Sequence, residues 1–381
     1  MTNANTVASL ALAGALPPRE FGSSPERVVE IAKVPLEIPS QLSAVTDLLA
    51  DAGNYCPQAM EEAVASLCMG HLILAGPPGT GKTSIAVALA EAFNCKLNIE
   101  TANPEWSVYD TIGTQTLKAG GEVAPRHGLV TSAVLNCATT IVDHLDTGEG
   151  PQAVWLLIDE MNRADIDRAF GPLFTALAGG DDPSMVLDHI EGRPTLTFPQ
   201  RFRIISTVNE YDTRFVNSMS GALRRRFAKV TILPPPNETD GTSSVIEFDT
   251  IVIAAKRTAA ASLGRDPEPK ILDLLKNAES DFRRVFGTIR RSNGSQIPLG
   301  TAQIIDVAAF FIIFGTLSGK FSEQDFWSIF DRSLTSRLLP GLETDSTRAR
   351  MHQNFPGEFV TTFPSLVKTS QRLESFLSGI D

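Results

Sequence analysis

Residues 76–83 read Gly-Pro-Pro-Gly-Thr-Gly-Lys-Thr and match the pattern G-x-x-x-x-G-K-[ST] at every specified position. Such glycines let backbone N–H groups close around phosphate oxygens, the lysine reaches the β- and γ-phosphates, and the final hydroxyl ligates Mg²⁺. An apolar run at 71–75 precedes the loop, and an Ala- and Leu-rich run at 84–93 follows it. We therefore predict a strand, a phosphate-binding loop and a helix N-terminus rather than a chance match in a glycine-rich turn. The predicted phosphate-binding residues are Gly76, Pro77, Pro78, Gly79, Thr80, Gly81, Lys82, Thr83 and Ser84, with Asp159 joining them through the metal.

Two adjacent acids follow a second apolar run. Residues 154–158 predict a buried strand, and Asp159 and Glu160 come directly after it. An acid at the carboxyl end of a core strand can hold Mg²⁺ beside a phosphate loop, and a second acid can polarise the attacking water. We assign Thr83 and Asp159 to the metal and Glu160 to the general base. A solvated acidic strand end is the alternative interpretation.

Two further groups could complete the chemistry. A third predicted strand, 202–208, ends at Asn209, whose amide can orient the lytic water or sense the γ-phosphate, although a simple turn asparagine is the alternative. Residues 222–227 then place Arg224, Arg225 and Arg226 before a phenylalanine. Arginine suits bidentate phosphate contact and the stabilisation of transition-state charge, whereas a solvated basic helix end is the alternative.

The composition is that of an ordinary globular protein. The 381 residues are 43% hydrophobic and 20% charged, which excludes wholesale disorder and predicts two domains, or one α/β core with an appendage. A net charge of −11 excludes a non-specific DNA-coating protein but leaves room for a local basic patch.

The richest apolar run, 307–317, is too short to span a membrane and predicts a buried helix. Residues 1–25 are expected to be a flexible arm.

The cysteines indicate a reducing compartment. None of the four forms a C-x-x-C pair, so we expect reduced thiols, no zinc site and a cytoplasmic location. These cysteines are Cys56, Cys68, Cys95 and Cys137.

Together these blocks resemble the AAA+ ATPases, and they best resemble the dynein-related branch with a helix-2 insert that contains the MoxR-like ATPases and the McrB-like motor subunits. The resemblance covers about residues 40–235 and rests on 76–83, 156–164, 206–209 and 222–227, with further likeness at 110–113 and 128–133. An L-S-G-G-Q-like signature and an N-K-x-D motif, which ABC-type ATPases and small GTPases would need, are not found in the sequence.

The resemblance implies a role for each site residue. Asp159 and Glu160 become the Walker B acids and Asn209 becomes sensor 1. Arg225 and Arg226 are both candidates for the finger that reaches the ATP of a neighbouring subunit. Further residues are implied as well: Asn162 and Arg163 at the subunit junction, and Arg214 as an additional arginine after sensor 1.

The implied fold is a P-loop three-layer αβα core with a parallel sheet, followed by an α-helical lid. We place the core at 26–236, a linker at 237–244, and the lid with a C-terminal helical extension at 245–381. Helices are expected near 245–263, 268–290, 300–319, 323–338 and 363–379.

Two interruptions of the core, the glycine-bearing loop at 118–127 and the segment at 186–198 with a turn at 191–194, resemble the helix-2 insert and the pre-sensor-1 hairpin that project into the pore of a ring. Ordinary surface hairpins are the alternative. The lid helix expected at 300 lacks the arginine that related lids place at its start, and Arg290 or Arg291 could substitute.

The function implied is that of a ring-forming ATPase, a hexamer that uses ATP and Mg²⁺ at subunit interfaces. One role is a McrB-like motor for a separate nuclease or effector subunit, with nucleic acid touched through the pore loops or the partner. The second is a MoxR-like chaperone that remodels a protein or metalloenzyme, with a von Willebrand-type partner. An ATP-gated assembly scaffold is the third, and the presence of both Asp159 and Glu160 disfavours it. No membrane partner is expected.

Overall fold

The architecture was established from a computed structural model of the chain. It describes residues 32–39, 57–117, 121–178, 183–209, 221, 225–233, 248–292, 299–343, 345–348, 351 and 354–378. The chain divides into two compact units. The main segments of the first are Cys56–Gly76 and Lys82–Ile232, and the second contains Leu233–Asp381 together with the short segment Pro77–Gly81. The predicted arm at 1–25, the linker at 237–244 and Cys56 lie outside the described residues, as do Arg214 and Arg224.

A five-stranded sheet forms the centre of the first unit. Its strands lie in the order β2-β5-β8-β1-β9, and every neighbouring pair is parallel. The strands are β1 His71–Gly76, β2 Cys95–Thr101, β5 Ala153–Asp159, β8 Ile204–Asn209 and β9 Phe227–Thr231. Continuous apolar runs such as Ala-Val-Trp-Leu-Leu-Ile in β5 are buried throughout, as expected for a parallel sheet covered by helices. The prediction of a P-loop α/β core is therefore confirmed.

Helices connect these strands, because parallel neighbours require crossover segments. They are α1 Pro57–Met69, α2 Lys82–Ala92, α3 Val108–Thr111, α4 Leu129–Thr147 and α5 Ile166–Phe170. The longest, α4, ends where Gly148 adopts φ +71°, a left-handed cap that glycine accepts at little cost. Its residues Val130, Val134 and Ile141 are fully buried, and the helix packs against β5.

Two antiparallel hairpins interrupt the core. The first pairs β3 Gly113–Leu117 with β4 Val123–His127, and the second pairs β6 Ser184–Val186 with β7 Thr195–Thr197. The turn predicted at 191–194 lies between β6 and β7, which confirms that prediction. The loop predicted at 118–127 is corrected, because residues 123–127 pair with β3 and form a strand. Residues 118–120 and 179–182 lie outside the described residues.

The two hairpins contact each other through a pair of histidines. The Nε2 atom of His189, between β6 and β7, lies 3.4 Å from the Nδ1 atom of His127 at the end of β4. Gly113 makes this possible, because a Cβ atom there would lie 2.4 Å from His189 Nε2, and its φ of +147° is one that glycine tolerates. Burial lowers the pKa of both histidines, which favours the neutral form of each ring, and a neutral ring can donate to the other.

The second unit is a single cluster of helices around an apolar core. Its elements are α6 Phe248–Leu263, α7 Pro269–Asn277, α8 Glu279–Ser292, α9 Thr301–Ser318, α10 Glu323–Ser333, a π-helical turn Leu334–Leu338, α11 Leu339–Leu342, α12 Asp345–Arg348, α13 Phe355–Thr362 and α14 Val367–Ser378. The single helix expected over 268–290 is wrong, because the chain breaks at Ala278 into α7 and α8. The helix α13 was not predicted.

One buried acid organises the C-terminal part of this unit. The Asp331 carboxylate in α10 accepts hydrogen bonds from the backbone N–H groups of Lys368 and Thr369, at 3.0 and 2.9 Å, in the first turn of α14. The Thr369 hydroxyl donates to it as well, at 2.7 Å. Asp331 therefore satisfies donors that a helix N-terminus leaves unpaired, which joins the extension to the rest of the unit.

The helix α9 is the one described helix that is long and apolar enough to cross a membrane by length and composition, with a mean hydropathy of 1.7. It is 44% buried inside the protein, and Val307, Phe311 and Ile312 are fully buried in the core of the second unit. We interpret it as the central core helix of this unit, which agrees with the buried helix expected at 307–317.

A largely buried histidine makes the first unit sensitive to acid. The Nδ1 atom of His71, the first residue of β1, accepts a hydrogen bond of 3.0 Å from the N–H of Ile204. Burial, together with the nearby Arg203 guanidinium, lowers the pKa of His71 to about 3. Because Nδ1 must stay unprotonated to accept this bond, folding keeps the ring neutral.

We predict that acidification destabilises this unit through His71. The unfolded chain binds a proton near pH 6.5 and the folded chain does not, so stability falls as the pH drops below 6.5 and continues to fall towards pH 3. The loss at pH 5.5 should be about 1.4 kcal/mol relative to pH 7.5. Urea unfolding of the wild type and of His71→Asn, which keeps an acceptor without a titrating ring, measures it. Identical pH dependence in the two proteins would contradict the assignment.

Candidate nucleotide-binding site

The phosphate loop joins β1 to α2 and depends on glycine at three places. Gly76 ends β1 with φ +149°, and a Cβ atom there would lie 2.2 Å from the Ile232 carbonyl oxygen. Gly79 and Gly81 have φ values of +76° and +77°, in the left-handed region that glycine adopts readily. Thr80 is buried and its hydroxyl donates 3.0 Å to the Pro77 carbonyl, which holds the turn together.

Lys82 is the first residue of α2 and its side chain folds back across the loop. Its Nζ donates to the Gly76 carbonyl at 3.1 Å, and the side chain is buried. A partly desolvated ammonium at a helix N-terminus adds its charge to that of the helix dipole, so this end of the loop attracts anions. Of the other predicted loop residues, Pro77 is buried, while Pro78 and Ser84 are exposed.

The predicted metal ligands lie next to each other. Asp159 is the last residue of β5, and its Oδ1 accepts a hydrogen bond of 2.9 Å from the Thr83 hydroxyl in α2. A hydroxyl and a carboxylate are hard oxygen donors of the kind that Mg²⁺ prefers, so the residues present fit that ion. In the part of the chain that the structure describes, no group of three or more His, Cys, Asp or Glu side chains could hold a metal ion. In proteins Mg²⁺ usually keeps several waters and binds through one or two carboxylates together with substrate phosphates.

A residue that the sequence analysis missed links the two acids. The Thr207 hydroxyl in β8 donates 2.6 Å to Asp159 Oδ1 and accepts 2.8 Å from the N–H of Glu160. Thr207 lies two residues before Asn209, so both belong to the same face of the strand. This period-2 relation to the predicted Asn209 was the signal that could have identified it.

Glu160 is held in an uncommon conformation. Its φ and ψ are 53° and 45°, in the left-handed region that costs free energy for any residue other than glycine. Its carboxylate makes an ion pair with Arg163, three residues on, at 2.9 Å between Arg163 Nε and Glu160 Oε2. Both side chains are about two-fifths exposed, so this pair contributes only about 0.2–1 kcal/mol and exchanges easily for another partner.

Asn162 fixes the backbone of Asn209, the predicted sensor 1, from within the same chain. Its Nδ2 donates to the Asn209 carbonyl at 3.3 Å, and its Oδ1 accepts from the Asn209 N–H at 3.4 Å. Asn162 is 3% exposed. The Asn162 amide is therefore used inside the fold, and its place at a subunit junction stays a prediction.

The two arginine-finger candidates have different surroundings. Arg225 is exposed. Arg226 is half-buried, its Nε donates to the Phe174 carbonyl, and its guanidinium lies 5.6 Å from the centroid of the Phe174 ring. Arg226 thereby attaches the segment before β9 to the short 3-10 helix Gly171–Phe174.

The side chains of Arg290 and Arg291, the proposed substitutes for a lid arginine, lie outside the described residues. The helix α9 begins at Thr301, and its first turn carries no arginine.

Residues 71–227 match the family described as the AAA domain of the dynein-related subfamily, and this segment contains the site residues from Gly76 to Arg226. Two mutants of RuvB from Thermotoga maritima are among the similar solved structures. One is 15% identical, with 76% of this chain and 71% of that chain covered and a TM-score of 0.36. The other is 14% identical, with 84% and 86% covered and a TM-score of 0.39. No curated protein matches the sequence.

We predict that Lys82→Ala weakens ATP binding. Removing an ammonium that bonds to phosphate typically costs about 1.5–3 kcal/mol, so the Kd for ATP should rise about 10- to 150-fold. Isothermal titration calorimetry measures the change. Lys96→Ala removes an exposed lysine from β2 and serves as the matched control, with an expected Kd near that of the wild type. Equal affinities for Lys82→Ala and Lys96→Ala would show that the loop does not bind the phosphates.

Proposed function

We propose that this chain, whose residues 71–227 form an AAA domain of the dynein-related subfamily, hydrolyses ATP with Mg²⁺. The observation that carries the proposal is the convergence on Asp159. Its carboxylate accepts the hydroxyl of Thr83 from the phosphate loop, and Glu160 follows it directly in the chain. A nucleotide-binding scaffold without hydrolysis would not need both acids beside the loop.

The contacts of the site support a separate role for each residue. Lys82 and the loop N–H groups would bind the β- and γ-phosphates, and Thr83 with Asp159 would hold Mg²⁺, which would neutralise phosphate charge. Glu160 accepts a proton from the attacking water. Its ion pair with Arg163 is weak enough to be replaced when the water and nucleotide are present. Asn209 orients the water, and its backbone is fixed by Asn162.

We further propose that the active assembly is a ring, most simply a hexamer, in which a neighbouring subunit supplies an arginine. Arg225 suits that role because it is exposed, whereas Arg226 is engaged with Phe174 of its own subunit. Arg225 would stabilise transition-state charge on the neighbour's ATP. Arg226 would hold the segment that presents it.

Arg225→Ala should lower kcat by about 10³-fold or more in the assembled protein and leave the Tm unchanged, because it removes a transition-state contact from an exposed side chain. Arg226→Ala should lower the Tm, because it removes an internal hydrogen bond and a cation–π contact.

Steady-state ATPase assays at protein concentrations above assembly, with thermal denaturation alongside, separate the two roles. The exposed Arg257 of α6 provides a control, Arg257→Ala, with the expected rate and Tm of the wild type. Normal turnover by Arg225→Ala together with a large loss for Arg226→Ala at unchanged Tm would reverse the assignment. Normal turnover by both would refute a shared site.

A protein target is favoured by the first hairpin. Leu117 and Val123 form a cross-strand pair at the end of β3–β4 and are 75% and 56% exposed. Exposed apolar pairs suit contact with another protein better than contact with a phosphate backbone. We therefore propose first a MoxR-like role, the remodelling of a protein or metalloenzyme complex. The second candidate is a McrB-like motor that drives a nuclease or effector subunit, which the Met161–Arg163 extension of Walker B and the arginine triplet support.

Affinity capture from native cells tests these roles. Glu160→Gln should retain ATP and stabilise the partner-bound state, while Glu160→Gln combined with Leu117→Asp should lose the partner, because the aspartate places a charge in the apolar contact. A von Willebrand-type protein or a metalloenzyme in the first sample supports the MoxR-like role, and a nuclease supports the McrB-like role. Partners retained by the double variant would exclude the hairpin as the contact.

We also propose a cytoplasmic location. Cys68, Cys95 and Cys137 are free thiols, and burial raises the pKa of all three, that of Cys137 to about 12. Such thiols are inert and suited to a reducing compartment.

A further inference from the structure

Thr207 makes two hydrogen bonds with a single hydroxyl, one to each acid of the site. Its only hydroxyl proton is directed to Asp159 Oδ1 at 2.6 Å, and an oxygen lone pair accepts from the Glu160 N–H at 2.8 Å. Thr207 is 2% exposed, so neither bond is shared with bulk water. A hydroxyl with these two fixed partners has one orientation.

The two hydrogen bonds of Thr207, which we call the Thr207 bridge, lie where the backbone pairing of β5 with β8 ends. The strands β5 and β8 pair through Leu156↔Ile204, Leu157↔Ile205 and Ile158↔Ser206. Asp159 and Thr207 are the next residues along β5 and β8. At this position the two strands are joined by the hydrogen bond from the Thr207 hydroxyl to the Asp159 carboxylate instead of by backbone pairing. The Thr207 hydroxyl therefore sets the distance between β5 and β8 at the point where the chain leaves the sheet.

The same hydroxyl supports the unusual backbone of Glu160. A left-handed conformation costs about 1–2 kcal/mol for a residue with a Cβ atom, so the surrounding contacts must select it. The bond from the Glu160 N–H to Thr207 is such a contact. Without it the N–H loses its partner, and the turn that places the Glu160 carboxylate after Asp159 loses its support.

We propose that Thr207 is a positioning residue for hydrolysis, which fixes the Asp159 carboxylate and the Glu160 backbone through one hydroxyl. The inference rests on the proposed function, because it assigns Asp159 to the metal and Glu160 to the base. In this role Thr207 acts through its two partners, Asp159 and Glu160. A purely structural role would require only its volume and its methyl group.

Substitutions of matched shape separate these two roles. Thr207→Val keeps the volume and removes the hydroxyl, and Thr207→Ser restores the hydroxyl without the methyl group. Ser206→Ala is the matched control, because Ser206 is the neighbouring residue, is fully buried, and its hydroxyl has no hydrogen-bond partner in the described structure. ATPase assays give kcat and KM. The rate of hydrogen exchange of the Glu160 amide in the nucleotide-free protein measures whether its hydrogen bond to Thr207 is formed, and this measurement does not depend on ATP hydrolysis.

Thr207→Val should lower kcat about 10- to 100-fold, since it removes a hydrogen bond to a charged group, and should change the KM for ATP less than about twofold. Its Glu160 amide should exchange at least about tenfold faster. Thr207→Ser should recover both quantities, and Ser206→Ala should resemble the wild type.

Wild-type kcat for Thr207→Val, or a Thr207→Ser variant as slow as Thr207→Val, would overturn the inference. If Thr207→Val does not fold, Thr207→Ala and Thr207→Ser give the same comparison. A wild type without ATPase activity would refute the proposed function instead, and the exchange rate of the Glu160 amide would still decide whether the bridge exists.

Discussion

The carboxylate of Asp159 is the point on which the site depends. Its Oδ1 atom accepts one hydroxyl from Thr83 in α2 and another from Thr207 in β8, so three separate segments of the chain meet at one oxygen. Both hydrogen bonds have a carboxylate acceptor that is partly buried. Such bonds are stronger than a solvent-exposed ion pair such as Glu160–Arg163. The start of α2, the end of β5 and the end of β8 are thereby held together before a nucleotide binds.

This convergence requires the strand order of the sheet. The strand β8 lies between β5 and β1, so the strand that carries Thr207 and Asn209 separates the strand that carries Asp159 from the one that enters the phosphate loop. All three are parallel, and their carboxyl ends reach the same edge. A parallel sheet with apolar strands buried on both faces therefore aligns polar residues from distant parts of the sequence at one edge, where ligands bind in open α/β sheets.

The local part of this arrangement could be predicted from the sequence, and the long-range part could not. Residues 71–93 contain a strand, a glycine loop and a helix in succession, so local patterns predict their order. The position of Asp159 at the end of the apolar run 154–158 is predicted in the same way. The spacing from Asn209 places Thr207 on the same face of the strand, but Thr207 was missed because its partner, Asp159, lies 48 residues away in the chain. The contact of the Asn162 amide with Asn209 was also missed, because nothing in the local pattern of Asn162 indicates it. In the second unit, Ala278 ends a helix inside an otherwise continuous helical pattern, which only the packing of α7 and α8 reveals.

The contact between His127 and His189 has a consequence for the entropy of binding. The two residues are 62 positions apart, yet their rings meet edge to face with centroids 5.7 Å apart, and the absence of a side chain at Gly113 makes room for them. Two independent hairpins would each lose conformational freedom when a target ordered them. Hairpins that are already joined lose less of it on binding, so a target that touches both meets a preorganised surface and is bound more tightly for the same contacts.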